Sequence, residues 1–286
     1  MSTNEGTWKP CKHCFEGFRL DGEPTGKMDS LDGVSYYIAQ GKGEDKTKAI
    51  VLGTDIFGFG IANPKLMADK FASSTGLTVY VPDLLEGDYI DTSSLQPTLA
   101  MLERQTKTMS LLGKAWYWAS LVWGFGVKIG PSYLKRHDAK SVAAPLLEKF
   151  CRALKAEKGI QRIGYAGWCY GGTCGTLLSG ADSPLDVVVV AHAGGLTEDN
   201  FKAVRKPFAL ICAEEDFGFD SLRPKAVEIL HQLEKNEGVP IAIYGPELHP
   251  GTTHGFAARP NLADERVRKA WELSMQETQE WWEKHL

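Results

Sequence analysis

Short apolar segments alternate with amphipathic, helix-like segments along most of this chain of 286 residues. The predicted strands cover 34–39, 48–55, 77–83, 160–167, 185–192, 206–216 and 239–246, and the predicted helices cover 63–75, 141–159, 170–180, 222–238 and 261–286. Alternation of this kind is typical of a mostly parallel sheet with helices on both faces. Because such sheets place their sites beyond the carboxyl ends of the strands, we expect the functional residues there.

Local signals refine two of these elements. Residues 34–39 are expected to form an edge strand. Asn63 is expected to cap the helix over 63–75, with Pro64 at its first position, where a missing N–H costs nothing.

The composition, 43% hydrophobic and 24% charged, is that of a globular protein, and we predict a single domain over 1–286. The net charge of −4 and the lack of a basic run argue against binding to nucleic acid or to anionic membranes. Residues 109–130 are about long enough to span a bilayer, but Lys114, Lys128 and several glycines favour a buried cap or pocket wall. No membrane span is therefore predicted.

Six cysteines are spread along the chain: Cys11, Cys14, Cys151, Cys169, Cys174 and Cys212. The first ten residues are polar and lack the apolar core of a signal peptide, so a reducing cytoplasm with mostly free thiols is predicted. The CKHC stretch at 11–14 has no second Cys or His pair at zinc-finger spacing, and we predict neither a metal nor a cofactor.

The sequence GYAGWCYGG places Cys169 between Gly167 and Gly171, where a predicted strand meets a predicted helix. Glycines two residues before and after a nucleophile let the backbone make the sharp turn that lifts the reactive atom clear of the sheet. The nearby helix N-terminus favours negative charge on a thiolate. The pattern by itself also allows Cys169 to be a small core residue in a glycine-rich turn.

Two later strand ends supply an acid and a base. Asp216 follows the strand that begins at 206, and His254 lies in the GTTHGF turn after the last strand. Nucleophile, acid and base in this order are typical of the α/β-hydrolase fold, with cysteine in the serine position. Imidazole suits proton transfer near neutral pH, and a carboxylate fixes its tautomer. Spacing leaves Glu214, Glu215 and Asp220 open as the acid and His249 as the base.

An oxyanion hole is expected to combine two backbone N–H groups, that of Tyr170 and that of Ile56 in the GTDIFGFG loop. His192 also ends a strand and is interpreted either as the pocket floor or as plain packing. The remaining residues expected to line the pocket or support the triad are Phe57, Trp168, Trp118 and Trp123.

Residues 84–140 interrupt the alternation with a long insertion rich in aromatic residues. Loops of this length are usually functional, so the insertion is interpreted as a cap over the site. The alternative is a helical hairpin packed on the side of the domain.

Several stretches resemble the dienelactone hydrolases, in particular their eukaryotic and fungal members: VLGTDIFGFG, YVPDLLEGD, GYAGWCYGG, AEEDFGF and HPGTTHGFAARP. The resemblance covers most of the chain except roughly 88–140. It implies an α/β-hydrolase fold and a triad of Cys169, His254 and Asp216 that cleaves lactones or esters through an acyl-enzyme.

Other site residues are implied by the resemblance alone. Asp55 stands where the family usually has a glutamate that partners the resting cysteine. Arg259 lies one residue from a position that holds a substrate carboxylate in members acting on dienelactone, and Arg104 or Arg136 is a candidate for a second such position.

We therefore predict a hydrolase of lactone or ester carbonyls. The alternatives are thioester release or carbon–carbon bond cleavage on a bulky secondary metabolite, and a non-enzymatic small-molecule binder whose thiol senses redox state. A homodimer is left open.

Overall fold

A computed structural model describes residues 19–90, 109–121, 123, 133 and 135–286. The CKHC stretch and Arg104 lie outside these residues, as does much of the 84–140 insertion.

The described residues form an eight-stranded sheet in the order β1-β2-β4-β3-β5-β6-β7-β8. The strands are β1 (Lys27–Leu31), β2 (Val34–Ala39), β3 (Lys48–Gly53), β4 (Thr78–Pro82), β5 (Arg162–Trp168), β6 (Val187–Ala191), β7 (Phe208–Ile211) and β8 (Ile241–Tyr244). β2 pairs antiparallel with β1 and β4, and every later pairing is parallel. The predicted mostly parallel sheet of an α/β fold is confirmed.

The edge of the sheet differs from the sequence prediction. β2 is not the edge strand, because β1 lies outside it and pairs with it over its whole length. β1 has the sequence KMDSL with only Leu31 buried, so it lacks the apolar alternation by which strands are recognised. It is a strand because the tight turn at Asp32 and Gly33 brings it alongside β2, with which it forms backbone hydrogen bonds.

Seven α-helices lie in the described residues: α1 (Asn63–Thr75), α2 (Leu111–Leu121), α3 (Ala144–Lys158), α4 (Tyr170–Leu177), α5 (Glu198–Lys202), α6 (Arg223–Glu237) and α7 (Glu265–His285). One core cluster joins the sheet to α3, α4 and α6, and a second joins it to α1 and α7. Apolar residues therefore cover both sheet faces, as a buried parallel sheet requires. None of the helices in the described ranges is long and apolar enough to cross a bilayer.

Asn63 does not cap α1 as expected, because Ala62 occupies the cap position. The Asn63 side chain is fully buried, accepts from the Leu20 N–H at 2.9 Å and donates to the Ala258 carbonyl at 3.0 Å. Its amide therefore joins three distant segments, and Pro64 moves to the second helical position.

The described part of the insertion contacts the loop that follows β3. Tyr117 of α2 is buried in a cluster with Phe57, Ile61, Ile90 and Tyr133. Polar contacts join the two ends of the insertion. The Asp88 carboxylate accepts from the guanidinium of Arg136 and contacts the His137 ring at 2.8 Å. α2 therefore lies near the carboxyl end of β3.

Candidate active site

Cys169 sits directly after β5 in a backbone conformation that residues with a side chain seldom adopt, with φ of 53° and ψ of −112°. A Cβ at Gly167 would lie 2.4 Å from the Gly171 carbonyl oxygen, and one at Gly171 would lie 2.3 Å from the Gly53 backbone. Both positions therefore require glycine. The turn leaves the Cys169 side chain partly exposed at the start of α4.

Three strand-end loops bring the sequence-predicted acid and base to Cys169. His254 Nε2 lies 3.2 Å from Cys169 Sγ, and His254 Nδ1 lies 2.8 Å from Asp216 Oδ1. The Gly218 N–H also donates to Asp216 Oδ1 at 3.1 Å, which fixes the carboxylate. Thiol, imidazole and carboxylate form one hydrogen-bonded chain.

The rival residues of the sequence analysis have other partners. The His249 ring faces Glu277 on α7, with Nε2 and the carboxylate 2.9 Å apart. The Glu214 carboxylate accepts from the Gly251 N–H at 2.7 Å, and the Asp220 carboxylate accepts from the Asp216 N–H at 2.9 Å. Glu215 pairs through its backbone with Thr253. These residues shape the loops that carry Asp216 and His254.

The charge environment of His254 favours the imidazolium. Burial lowers its pKa, but the negative charges of Asp216 and Cys169, with the hydrogen bonds to both, outweigh burial and raise the pKa to about 10. Asp216 is itself only 1% exposed, so little water screens the pair. At neutral pH the charged ring therefore lies 3.2 Å from the Cys169 sulfur.

The two expected oxyanion donors follow the adjacent strands β3 and β5. β3 and β5 pair in parallel with Gly53 opposite Gly167, which brings the loop holding Ile56 beside the turn holding Tyr170. The Gly171 N–H donates to the Thr54 carbonyl at 2.8 Å and joins the two segments. Ile56 and Tyr170 are both half-buried. The Tyr170 hydroxyl donates to the His137 carbonyl and so links this turn to the base of the insertion.

The structure pairs Asp55 with Arg259. Arg259 Nε donates to Asp55 Oδ2 at 2.8 Å, and both side chains are buried. Asp55 Oδ1 accepts from the Phe57 N–H at 3.0 Å, and the guanidinium lies over the Phe57 ring at 4.7 Å. Asp55, Phe57 and Arg259 thus form one buried unit beneath the Ile56 loop.

His192 follows β6 with a φ of 39° and is 1% exposed. Its ring packs edge-on against His254, with centroids 5.0 Å apart, and against Phe256 at 5.9 Å. Neither ring nitrogen has a hydrogen-bond partner among the described residues. Burial, followed by the nearby charges of His254 and Arg259, lowers the pKa of His192 well below its ordinary value, so the ring is neutral.

The aromatic residues at the site differ from those expected. Trp168 is buried in the core cluster shared with α1 and α7, where it packs rather than lines a pocket. Trp118 and Trp123 are 49% and 67% exposed, whereas Tyr117, directly before Trp118, is buried. Burial and then the charges of Glu215 and Asp216 raise the pKa of Tyr117 to about 12, so α2 lies within electrostatic reach of the acid.

Phe217 is a site residue that the sequence analysis missed. Its ring centroid lies 4.9 Å from that of His254, and the side chain is 46% exposed. The sequence offered a signal for this residue, because Phe217 directly follows Asp216 in EEDFGF.

Arg136, considered for substrate binding, is instead paired with Asp88 at 2.9 Å.

A family model for the dienelactone hydrolase family matches residues 34–124 and 126–286. The chain belongs to this family. Family membership makes the protein a hydrolase of carboxylic esters and lactones, and the resemblance noted in the sequence is confirmed.

Similar proteins agree with the family assignment. The chain is 27% identical to the hydrolase pyvD of Aspergillus violaceofuscus, over 97% of each protein, and 25% identical to the hydrolase tropI of Talaromyces stipitatus, over 96% of this chain and 95% of the relative. A human carboxymethylenebutenolidase homolog is 26% identical over 87% of this chain and 86% of its own length.

Solved structures show the same fold. An esterase from Pyrococcus furiosus superposes with a TM-score of 0.56 at 10% identity, covering 93% of this chain and 98% of its own. A Klebsiella pneumoniae protein assigned to the dienelactone hydrolases gives a TM-score of 0.57 at 15% identity, covering 88% and 97%. The α/β-hydrolase fold of this member of the family is therefore shared with distant hydrolases.

Proposed function

We propose that this chain cleaves its ester or lactone through a thioester on Cys169, with Asp216 and His254 completing a triad. The observation that carries the proposal is the pair of short contacts, 3.2 Å from sulfur to imidazole and 2.8 Å from imidazole to carboxylate. A thiolate, a proton donor and an orienting carboxylate in contact are the groups that nucleophilic acyl transfer needs.

The first half of the reaction forms the acyl-enzyme. The Cys169 thiolate attacks the carbonyl carbon, and the carbonyl π electrons move to oxygen, where the N–H groups of Tyr170 and Ile56 would stabilise the oxyanion. When the oxyanion collapses, the carbon–oxygen bond to the leaving group breaks. The His254 imidazolium gives its proton to the departing alkoxide, which leaves as an alcohol.

The second half consumes water. Neutral His254 takes a proton from a water molecule as its oxygen attacks the thioester carbonyl. Collapse of this second oxyanion breaks the carbon–sulfur bond and releases the carboxylic acid. The thiolate–imidazolium pair is restored, and Asp216 keeps its contact with Nδ1 throughout.

The test combines turnover with mass spectrometry. Cys169→Ala should remove turnover of an aryl ester while circular dichroism and thermal unfolding stay close to those of the wild type. An activated ester should add one acyl group to the peptide that contains Cys169. Full turnover by the variant would overturn the proposal, and oxidation of Cys169 without acylation would favour the redox-sensing alternative.

A second candidate is the cleavage or release of a bulky aromatic ester or thioester of secondary metabolism. The half-exposed Phe217 ring against His254 favours it, because an open aromatic face beside the base offers a stacking partner for a planar group. The fungal hydrolases pyvD and tropI are similar over nearly the whole chain. Product analysis on aryl lactones against short alkyl esters separates the two candidates.

We also propose that the protein works in the cytoplasm. The described cysteines Cys151, Cys169, Cys174 and Cys212 are all unpaired, which suits a reducing compartment. Fractionation of the source cells with an antibody against the protein tests this placement.

A further inference from the structure

His249, the histidine five residues before His254, lies in a second buried ionisable pair. Its side chain is 0% exposed, and that of its partner Glu277 is 5% exposed. Nδ1 lies 2.9 Å from the Cys212 carbonyl, and Nε2 lies 2.9 Å from Glu277 Oε2. Because a carbonyl oxygen only accepts, Nδ1 donates its N–H to Cys212, and Nε2 and the Glu277 carboxylate form the second hydrogen bond of the ring.

This pair ties three elements together. Cys212 follows β7, Glu277 lies in α7, and His249 follows β8. A pair buried this deeply is costly to build unless both partners are satisfied, and here both ring nitrogens are. The end of β8 is thereby fixed to the end of β7 and to the helix behind the sheet.

A hydrogen-bonded ladder leads from His249 to the triad. Thr252 is its centre: its hydroxyl donates to the His249 carbonyl at 2.6 Å and accepts from the Glu214 N–H at 3.0 Å, and its carbonyl accepts from the Glu215 N–H at 3.1 Å. Glu215 directly precedes Asp216. The loop that carries the acid and the loop that carries the base are therefore joined, with His249 at one end of the ladder and Glu215, next to Asp216, at the other.

A row of rings makes a second connection. The His249 ring packs on Phe256 with centroids 5.3 Å apart, Phe256 packs on His192 at 5.9 Å, and His192 packs on His254 at 5.0 Å. A shift of the His249 ring would therefore reach the His254 ring through side-chain packing as well as through the backbone.

We propose that His249 and Glu277 are positioning residues: their buried pair holds the 249–254 segment so that His254 meets both Asp216 and Cys169. The inference rests on the proposed function of that triad. Small misplacements of a catalytic group cost about 100-fold in rate per ångström, so a modest loosening of this anchor has a measurable effect.

The experiment compares Glu277→Leu, Glu277→Gln and a surface control, Glu272→Leu, on the same helix. Glu272 is exposed, with its nearest basic partner, Arg268, at 3.8 Å. Leucine cannot hold the His249 ring, whereas the glutamine amide N–H can donate to Nε2 while Nδ1 keeps its bond to the carbonyl. Turnover of an aryl ester is measured per folded molecule, with folding followed by circular dichroism.

Glu277→Leu should lower kcat by about tenfold with KM nearly unchanged, Glu277→Gln should restore most of the loss, and Glu272→Leu should match the wild type. The second readout is the pH profile of Cys169 alkylation by iodoacetamide, followed on its peptide. Glu277→Leu should move this profile to higher pH, because the imidazolium is no longer held against the sulfur.

An unchanged kcat and alkylation profile in folded Glu277→Leu would overturn the inference. If that variant does not fold, Thr252→Val tests the same ladder at its centre. It should lower kcat in the same way, and unaltered kinetics would be equally decisive against the inference. Full turnover by Cys169→Ala would defeat the proposed function whatever these variants do. An inactive Cys169→Ala beside an unaffected Glu277→Leu would defeat this inference alone.

Discussion

Phe217 gives the triad an apolar neighbour that is open to solvent. A ring that is 46% exposed and lies 4.9 Å from the base contributes little to folding, because much of its surface stays in water. At the mouth of a hydrolase site, such a ring is available to a substrate. In the proposed mechanism His254 protonates the leaving group, so the Phe217 ring lies where it would contact the alcohol part of the ester.

We therefore predict that Phe217→Ala lowers kcat/KM for an aryl ester about tenfold, because stacking and apolar burial of the leaving group are lost. A short alkyl ester should be affected no more than about twofold. Phe217→Leu keeps apolar bulk without the ring, so its kcat/KM for the aryl ester should lie between those of the wild type and Phe217→Ala. Equal losses for both esters would show that Phe217 acts on His254 and not on the substrate.

The raised pKa of His254 predicts how stability depends on pH. The folded value is about 10 and the ordinary value is 6.5, so the stabilisation from the charged ring is complete below 6.5 and is lost as pH rises through about 10. Cys169→Ala removes one of the two negative partners and should shift this loss to lower pH. Urea unfolding of both proteins at a series of pH values from neutral to about 10 measures the difference. Parallel stability curves would contradict the assignment of a thiolate partner.

At the scale of elements, the junction of β5 and α4 depends on backbone contact with β3. A Cβ at Gly171 would meet the Gly53 carbonyl carbon and oxygen at 2.3 Å. These atoms belong to the middle of the sheet and cannot move aside as a flexible side chain would. The close approach places the N-terminus of α4 beside the Ile56 loop.

Gly171→Ala should therefore destabilise the protein by about 3 kcal/mol, the upper part of the range for overpacking, and should lower activity by separating the two proposed oxyanion donors. Gly180→Ala is the matched control, since a Cβ there would meet only the Ala203 carbonyl oxygen at 3.8 Å. Thermal unfolding and aryl-ester turnover measure both effects. Wild-type stability of Gly171→Ala would show that α4 can shift away from β3.

At the scale of the whole molecule, the buried pair of Asp55 and Arg259 joins residues 204 positions apart in the chain. One partner follows β3 and the other follows the turn that holds His254. The pair therefore ties the loop that holds Ile56 to the loop that holds His254.

Removing one partner leaves the other buried without its counter-charge. We predict that Arg259→Met lowers the free energy of unfolding by about 3–5 kcal/mol, the cost typical of breaking a buried ion pair. Arg266→Met removes an exposed arginine that pairs with Asp264, and it should leave stability unchanged. Urea denaturation of the two variants provides the comparison. Equal stabilities would mean that water reaches Asp55.

Local sequence patterns are enough to predict the layered architecture and the chain order of the candidate site residues. Apolar strands of β-branched residues, such as 187–191, alternate with amphipathic helices. The hydrophobic pattern that distinguishes strand from helix depends only on neighbours along the chain. Cys169, Asp216 and His254 could be singled out because parallel strands all end at one edge of the sheet. β1 was not predicted, because its five residues are mostly exposed and only its pairing with β2 makes it a strand.

The choice between residues of the same kind in the same loop depends on long-range packing. His249 and His254 are both buried, and what separates them is that Glu277 meets one ring and Asp216 the other, through contacts 28 and 38 residues apart. The same holds for Asp55, whose partner Arg259 lies at the far end of the chain, and for Tyr117, which is buried while Trp118 is half-exposed. Partner choice over such distances depends on how elements pack in three dimensions, and no local periodicity records it.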